Sequence, residues 1–183
     1  MGHVLIPPDC MSQVAAGDKK AFETLYDLTY RQVYSLLLSL TMNENDAKDL
    51  LQETYLRVLG SADLYHEGNP MAWIMKIGKN LFLMEKRKKR PEPVGGEEDL
   101  ENISIDWNSI EDVENRVYLE QLFLQLTQEE REIVVMHVVG GFHHREIAEF
   151  LNEPQGTVLS KYSRAIQKLK RSAESAAEGA KNV

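Results

Sequence analysis

Between residues 91 and 115 the chain carries nine acidic side chains and no basic one: Glu92, Glu97, Glu98, Asp99, Glu101, Asp106, Glu111, Asp112 and Glu114. The same stretch holds Pro91, Pro93, Gly95 and Gly96. Like charges repel, and Pro and Gly punctuate helices, so such a segment stays extended and joins no packed core. It divides the 183-residue chain into two parts, each of which must bury a core of its own. The flanks are nearly neutral, with 12 basic against 11 acidic residues in 1–90 and nine of each in 116–183. The net charge of −8 therefore arises in the linker and says nothing about what either part binds.

Hydrophobic residues make up 43% of the sequence, the share of an ordinary globular protein. No apolar run approaches the ~18 residues of a membrane span, and no signal-like N-terminus is present. The single Cys10 can form no internal disulfide and offers no thiolate cluster for a metal. The expectation is a cytoplasmic protein without membrane insertion, cofactor or metal.

The pattern is all-α, with no stretch of period-two alternation long enough for a strand. The sequence predicts a flexible segment over 1–17, a first helical domain over 18–90, the linker over 91–115, a second helical domain over 116–171 and a disordered tail over 172–183. Asp18 is placed to cap a helix with apolar positions Phe22, Leu25, Tyr26, Val33, Leu36, Leu37 and Leu40. A second helix starts after Asn43 or Asn45, with Ala47, Leu50, Leu51, Thr54 and Val58 on one face. Asn69 followed by Pro70 opens a third, which Pro91 stops. In the second half, Ser109 to Asp112 and Thr127 to Glu130 both read as capping boxes. Gly140 and Gly141 end the helix that Thr127 begins, and two more helices follow at about 143–151 and 155–170.

Those last two helices carry the first functional signal. Ala148, Asn152 and Val158 have the spacing of a helix-turn-helix: a small residue where helices approach, an Asn that tolerates the left-handed turn, and a Val that plugs the core. On a helical wheel Val158, Leu159, Tyr162, Ala165, Ile166 and Leu169 share one half. Thr157, Ser160, Lys161, Arg164, Gln167, Lys168 and Arg171 share the other. Five basic residues and no acidic one between Pro154 and Arg171 suit a helix lying among phosphates in a major groove. A solvated bundle helix would show a similar wheel without the turn signature.

The helix that Asn69 opens carries the second signal. Its wheel groups Trp73, Ile74, Ile77, Leu81 and Met84 in a core-width stripe. Lys76, Lys79, Asn80, Lys86, Arg87 and Arg90 form a separate arc, with Trp73 at the border. Cations beside an aromatic hold single-stranded nucleic acid by phosphate attraction and base stacking. A buried Trp and a lysine-rich helix end that complements the macrodipole would look much the same.

Three segments together resemble the extracytoplasmic-function (group IV) sigma factors of bacteria. Asp46-Ala-Lys-Asp-Leu-Leu-Gln-Glu-Thr-Tyr-Leu-Arg57 is similar to their polymerase-binding helix. Pro70-Met-Ala-Trp-Ile-Met-Lys-Ile-Gly-Lys-Asn80, with the basic run 86–90, is similar to their promoter-melting helix. Glu146 to Leu151 and Gly156 to Lys161, with Arg164 and Ala165, resemble the helix-turn-helix of their second domain. The resemblance spans about 18–90 and 116–171. It departs from the family at Met84, where an Asp is usual, at Leu159, where a Lys is common, and at His143, where a Ser often caps the helix.

The resemblance implies a non-enzymatic alternative sigma factor that binds core RNA polymerase through its largest and second-largest subunits, recognises −10 and −35 promoter elements and melts DNA. It implies that Asp49, Gln52, Glu53 and Leu56 dock on the polymerase largest subunit. Trp73, Lys76, Lys79, Asn80 and Arg87, with the 60–69 loop, would hold the unwound −10 strand. Gln155, Thr157, Ser160, Lys161 and Arg164 would read the −35 duplex. The acidic linker would thread polymerase channels, and an anti-sigma factor is a further expected partner. Fully extended, the linker reaches about 80 Å, similar to some 25 base pairs at ~3.4 Å each, so both elements are within reach at once.

Two other readings compete. A helix-turn-helix regulator acting without polymerase needs a dimer interface for paired half-sites, and the sequence has no heptad or sensor domain to supply one. A metal site would draw on His137, His143 and His144 with Glu146, but their spacing matches no recognised ligand pattern.

Overall fold

The computed structural model describes residues 5–88 and 123–181. Every regular element among them is helical. The described residues divide into two compact units, 5–88 in the first and 123–181 in the second. The linker expected at 91–115, with the Ser109–Asp112 capping box, lies outside the described residues.

In the first unit the elements are α1 (Cys10–Ala15), α2 (Lys19–Thr41), α3 (Glu44–Ser61), a 3-10 turn (Ala62–Leu64) and α4 (Pro70–Lys88). Helices α2, α3 and α4 pack mutually into a three-helix core, and α1 lies against α2. Asp18 caps α2, its Oδ1 accepting from the backbone N–H groups of Lys20 (2.8 Å) and Ala21 (3.2 Å). Asn43 caps α3 by accepting from Asp46 N–H at 3.0 Å. At the core centre Leu25, Val33, Leu36, Leu37, Ala47, Val58, Ile74 and Met75 are fully buried.

Within the segment expected to be flexible, Cys10–Ala15 is helical. Cys10, Met11 and Val14 are buried, and the Cys10 thiol donates to the Ala21 carbonyl at 3.5 Å. Three apolar groups at i, i+1 and i+4 make one face of a single turn, too short a pattern to stand out among Pro, Asp, Ser and Gln.

Helix α4 also differs from its wheel. Its buried side is Met71, Ile74, Met75, Gly78 and Phe82, whereas Ile77 and Leu81 are half-buried and Met84 is 48% exposed. The core face is turned by roughly 100° from the expected stripe, about one residue's rotation. Gly78 explains the turn. A Cβ there would stand 3.0 Å from Thr54 Oγ1 and 3.2 Å from Leu37 Cδ2, so α4 approaches α3 and α2 through a position that has no side chain. Gly78→Val is expected to cost about 1–3 kcal/mol by overpacking, read as a lower midpoint of thermal unfolding for the full chain.

The second unit contains α5 (Gln128–Val138), α6 (His144–Leu151) and α7 (Gln155–Lys181). The Thr127 capping box is formed: Glu130 N–H donates to Thr127 Oγ1 (3.3 Å), and Thr127 N–H donates to Glu130 Oε2 (3.0 Å). Helix α5 ends before Gly141, whose φ of +72° needs a glycine. Leu126, Val134 and Ala165 form a buried cluster against which Phe123, Tyr162, Ile166 and Leu169 pack. Helix α7 continues to Lys181, through most of the tail expected to be disordered. Ala, Glu and Lys are strong helix formers, and a long helix already nucleated upstream propagates through them.

Candidate nucleic-acid interface

On α4, Asn69 Oδ1 accepts from the N–H groups of Met71 (3.0 Å) and Ala72 (3.4 Å), which fixes the start of the helix. With the core face defined by Met71, Ile74, Met75, Gly78 and Phe82, the opposite stripe is Trp73, Lys76, Asn80, Met84 and Arg87. Lys76, Asn80, Met84 and Arg87 are exposed; Trp73 and, to one side, Lys79 are half-buried. Trp73 belongs to this stripe and not to the core. Its indole is held edge-on by Tyr65 at 5.6 Å between ring centroids. The Tyr65 hydroxyl donates to the Gly68 carbonyl at 2.7 Å, tying the 65–68 turn beneath it. Tyr65 lies in the 60–69 loop expected at the −10 strand, but its contact with Trp73 was not legible, because nothing in a loop sequence shows which helix residue it will meet.

On α3 the residues expected at the polymerase interface lie off the buried Ala47, Leu50, Thr54, Val58 face. Asp49, Gln52 and Leu56 are exposed, and Glu53 is half-exposed with its Oε1 2.9 Å from Arg57 Nε. Leu56 and Leu59, 57% and 47% exposed, edge a shallow apolar groove lined also by Phe22, Tyr26, Leu51 and Tyr55. Its aromatic floor is interlocked: Tyr26 stacks on Tyr30 (5.4 Å), Tyr26 meets Tyr55 (4.7 Å), and Tyr55 hydroxyl and Thr29 Oγ1 share a buried hydrogen bond of 2.6 Å. Tyr26, expected in the core, is exposed at the groove edge. Two exposed leucines at i and i+3 beside a rigid aromatic floor present apolar area that a partner can remove from water.

In the second unit the helix-turn-helix is formed as its spacing predicts. Asn152 adopts the left-handed conformation (φ 55°), Ala148 and Val158 are buried, and Glu153 N–H donates to the Ala148 carbonyl at 3.0 Å. His143 opens α6, its N–H donating to Glu146 Oε2 at 2.7 Å. The outer face of α7 carries Gln155, Ser160, Ser163, Arg164 and Gln167, all exposed, and Thr157 is half-buried. Leu159, expected on the apolar half, is 43% exposed on this outer face.

The polar half of the wheel divides at its edge, where Lys161 and Lys168 turn back into the unit. Lys168 Nζ donates to Glu130 Oε2 at 2.6 Å. Burial alone would raise the Glu130 carboxyl, but Lys168 and the Thr127 cap outweigh it and hold its pKa low. Lys161 Nζ lies 2.8 Å from Glu129 Oε2 and donates to both Glu153 oxygens at 2.7 and 2.8 Å, with only 15% of its side chain exposed.

Among the described residues no group of three or more His, Cys, Asp or Glu is placed to hold a metal ion. His137 and His144 instead form a ring cluster with Tyr162, at centroid distances of 4.3, 4.9 and 4.8 Å, and His137 Nδ1 bonds the Phe142 carbonyl at 2.8 Å. His144 Nε2 is buried without a hydrogen-bond partner. Burial first, then the neighbouring His137 and His143, lower the His144 pKa. A depressed histidine stabilises the fold fully above its unfolded value near 6.5, and that contribution is lost as pH falls below it. Thermal unfolding is therefore expected to drop between pH 7 and 5.5 by more in the wild type than in His144→Phe, which keeps a ring and removes the titration.

The family model for Sigma-70 region 2 matches residues 25–92, and that for Sigma-70, region 4 matches residues 116–169. The chain is 31% identical to the ECF RNA polymerase sigma factor EcfG of Rhodopseudomonas palustris, over 72% of this chain and 74% of the relative. It is 26% identical to SigW of Bacillus subtilis, over 88% and 93% respectively. Solved structures that share its fold include two complexes. One is sigma factor RpoE in complex with the anti-sigma factor NepR from Bartonella quintana, with a TM-score of 0.65, 22% identity, and 85% of this chain and 98% of that one covered. The other is CnrH in complex with the cytosolic domain of CnrY, with a TM-score of 0.66, 20% identity, and 91% and 96% covered. The chain belongs to the extracytoplasmic-function sigma factors and is an alternative sigma factor for transcription initiation, acting with core RNA polymerase on promoter DNA. No helix among the described residues is long and apolar enough to cross a membrane.

Proposed function

We propose that three faces divide the work of initiation. The α3 face with Asp49, Gln52, Glu53 and Leu56, extended by Leu59 and the groove beneath, docks on the polymerase largest subunit. The outer stripe of α4, with Trp73, Lys76, Asn80 and Arg87 and with Lys79 at its edge, captures the unwound −10 strand. The outer face of α7, with Gln155, Thr157, Ser160 and Arg164, reads the −35 duplex, while the second unit contacts the second-largest subunit. The chain works in the cytoplasm and performs no catalysis of its own. An anti-sigma factor is a further partner, supported by the two neighbours of like fold, each found in complex with a partner.

The observation that carries the duplex reading is the outer face of α7: apart from Leu159 it is polar, and it is free of acidic side chains from Gln155 to Arg171. It also stands behind a left-handed Asn152 turn whose core side is sealed by Val158 and Ala165. Such a helix fits a major groove with its N-terminal residues at the bases. Arg164→Ala in the polymerase-bound chain is expected to weaken binding to its promoter duplex by about 1–3 kcal/mol if the guanidinium reads a base. If it touches only phosphate, the loss is similar on all sequences and the salt slope falls by about one. Unchanged affinity and slope would remove α7 from the interface.

A further inference from the structure

By residue type and wheel position Lys161 belongs with the DNA-reading residues, yet its ammonium is fully engaged within the protein. An ammonium has three N–H donors. Here three carboxylate oxygens surround it: Glu153 Oε1 and Oε2 at 2.7 and 2.8 Å, and Glu129 Oε2 at 2.8 Å. No donor is left for a phosphate or a base. The cluster of one cation and two carboxylates carries a net charge of −1, which repels DNA.

The partners come from separate segments. Glu129 stands in the first turn of α5, Glu153 in the turn between α6 and α7, and Lys161 in the second turn of α7. Arg164 follows three residues later, so the angle at which α7 leaves the turn decides where its guanidinium arrives. Backbone hydrogen bonds hold the turn itself, from Asn152 N–H to the Glu149 carbonyl (3.3 Å), from Glu153 N–H to the Ala148 carbonyl (3.0 Å) and from Thr157 N–H to the Pro154 carbonyl (2.9 Å), and the Lys161 ammonium adds the side-chain tie from the turn and α7 to α5.

We propose that Lys161 is a positioning residue: a three-way clamp that ties α5, the turn and α7 together and so presents Gln155, Ser160 and Arg164 to the −35 duplex. This rests on α7 being the duplex reader. The clamp inverts the usual electrostatic expectation. If Lys161 touched DNA, removing a neighbouring acid such as Glu153 would relieve repulsion and strengthen binding. With a clamp, Glu153→Gln weakens binding although the protein becomes less negative.

The test uses the full chain bound to core polymerase and a duplex selected by that complex from a random-sequence pool. Affinity is measured across a salt series. Lys161→Gln and Glu153→Gln are each expected to weaken binding by about five- to twentyfold. The double variant should be no weaker than the worse single one, because both remove the same coupling. The salt slope should stay at the wild-type value in Lys161→Gln, since no phosphate contact is lost. Lys161→Arg, which can still bridge the carboxylates, should restore binding to within about twofold. This variant and Glu153→Gln keep the test decisive even where Lys161→Gln unfolds.

The clamp is overturned if Lys161→Gln lowers the slope by about one while Glu153→Gln binds as tightly as wild type or tighter, for then Lys161 touches DNA. It is equally overturned if both variants bind like wild type. Arg164→Ala separates the underlying reading from the clamp. Wild-type binding by Arg164→Ala removes α7 as the reader and the clamp with it. A loss in Arg164→Ala alone, with Lys161→Gln and Glu153→Gln intact, removes only the clamp.

Discussion

Glu53→Lys combined with Leu56→Ala is expected to abolish binding to core RNA polymerase while the midpoint of thermal unfolding stays within a few degrees of wild type. Neither side chain belongs to the core of the first unit. Leu56 is exposed, and the Glu53–Arg57 pair is a surface ion pair of the kind that contributes little to stability. At an interface the balance is different. A leucine seated in a partner's pocket is worth about 1.5–3 kcal/mol of apolar burial, and reversing a charge in a complementary contact adds repulsion that can cost several kcal/mol. At about 1.4 kcal/mol for each tenfold, these losses together weaken a complex by roughly three to four orders of magnitude, enough to remove it from a co-purification. The check is co-purification with core polymerase beside an unfolding curve. Normal binding by a well-folded double variant would take α3 out of the interface.

The second large effect belongs to melting. Lys76→Ala with Asn80→Ala should leave polymerase binding normal, silence a duplex promoter, and recover in part on a template whose −10 region is already open. Both residues are exposed on the stripe opposite the buried face of α4, so the fold should tolerate the change. Trp73 is a poorer probe, because its indole is half-buried against Tyr65. Each base stacked on an aromatic is worth about 1–3 kcal/mol against a mean of ~1.4 kcal/mol per broken duplex step, so the few contacts on this stripe decide whether the bubble persists. Run-off yield on both templates discriminates the cases. Equal fractional loss on both would mean strand capture without a melting role, and no loss on either would make the stripe a solvated surface.

A residue's role was legible in the sequence where that role was local. Ala148, Asn152 and Val158 were legible because each meets a steric demand set within a few residues: a close approach, a left-handed turn, a plug. The Thr127 capping box and the Asp18 and Asn43 caps were legible for the same reason. The core face of α4 was not. Hydrophobicity ranks Ile77, Leu81 and Met84 as well as Met71, Met75 and Phe82, and only the approach of α3 and α2 at Gly78 chooses between them. Lys161 and Lys168 read as outward cations until the fold brings Glu129, Glu130 and Glu153 to them from other segments. Leu159 and Met84 were misjudged in the opposite sense: apolar by type, yet exposed on the two faces assigned to DNA. At the ends, α1 was hidden by its brevity, and the extension of α7 to Lys181 reflects Ala-rich propensity that a polar composition masked.

Multi-template run-off transcription asks whether this chain directs core polymerase to promoters. Purified core polymerase is incubated with a library of genomic fragments, with and without the chain, and transcript 5′ ends are mapped. A set of defined start sites is expected that appears only with the chain and vanishes with the Glu53→Lys, Leu56→Ala variant. Sequence-specific duplex binding by the folded chain, with no transcript beyond those of core polymerase alone, would contradict this expectation and leave a helix-turn-helix regulator that works without the polymerase.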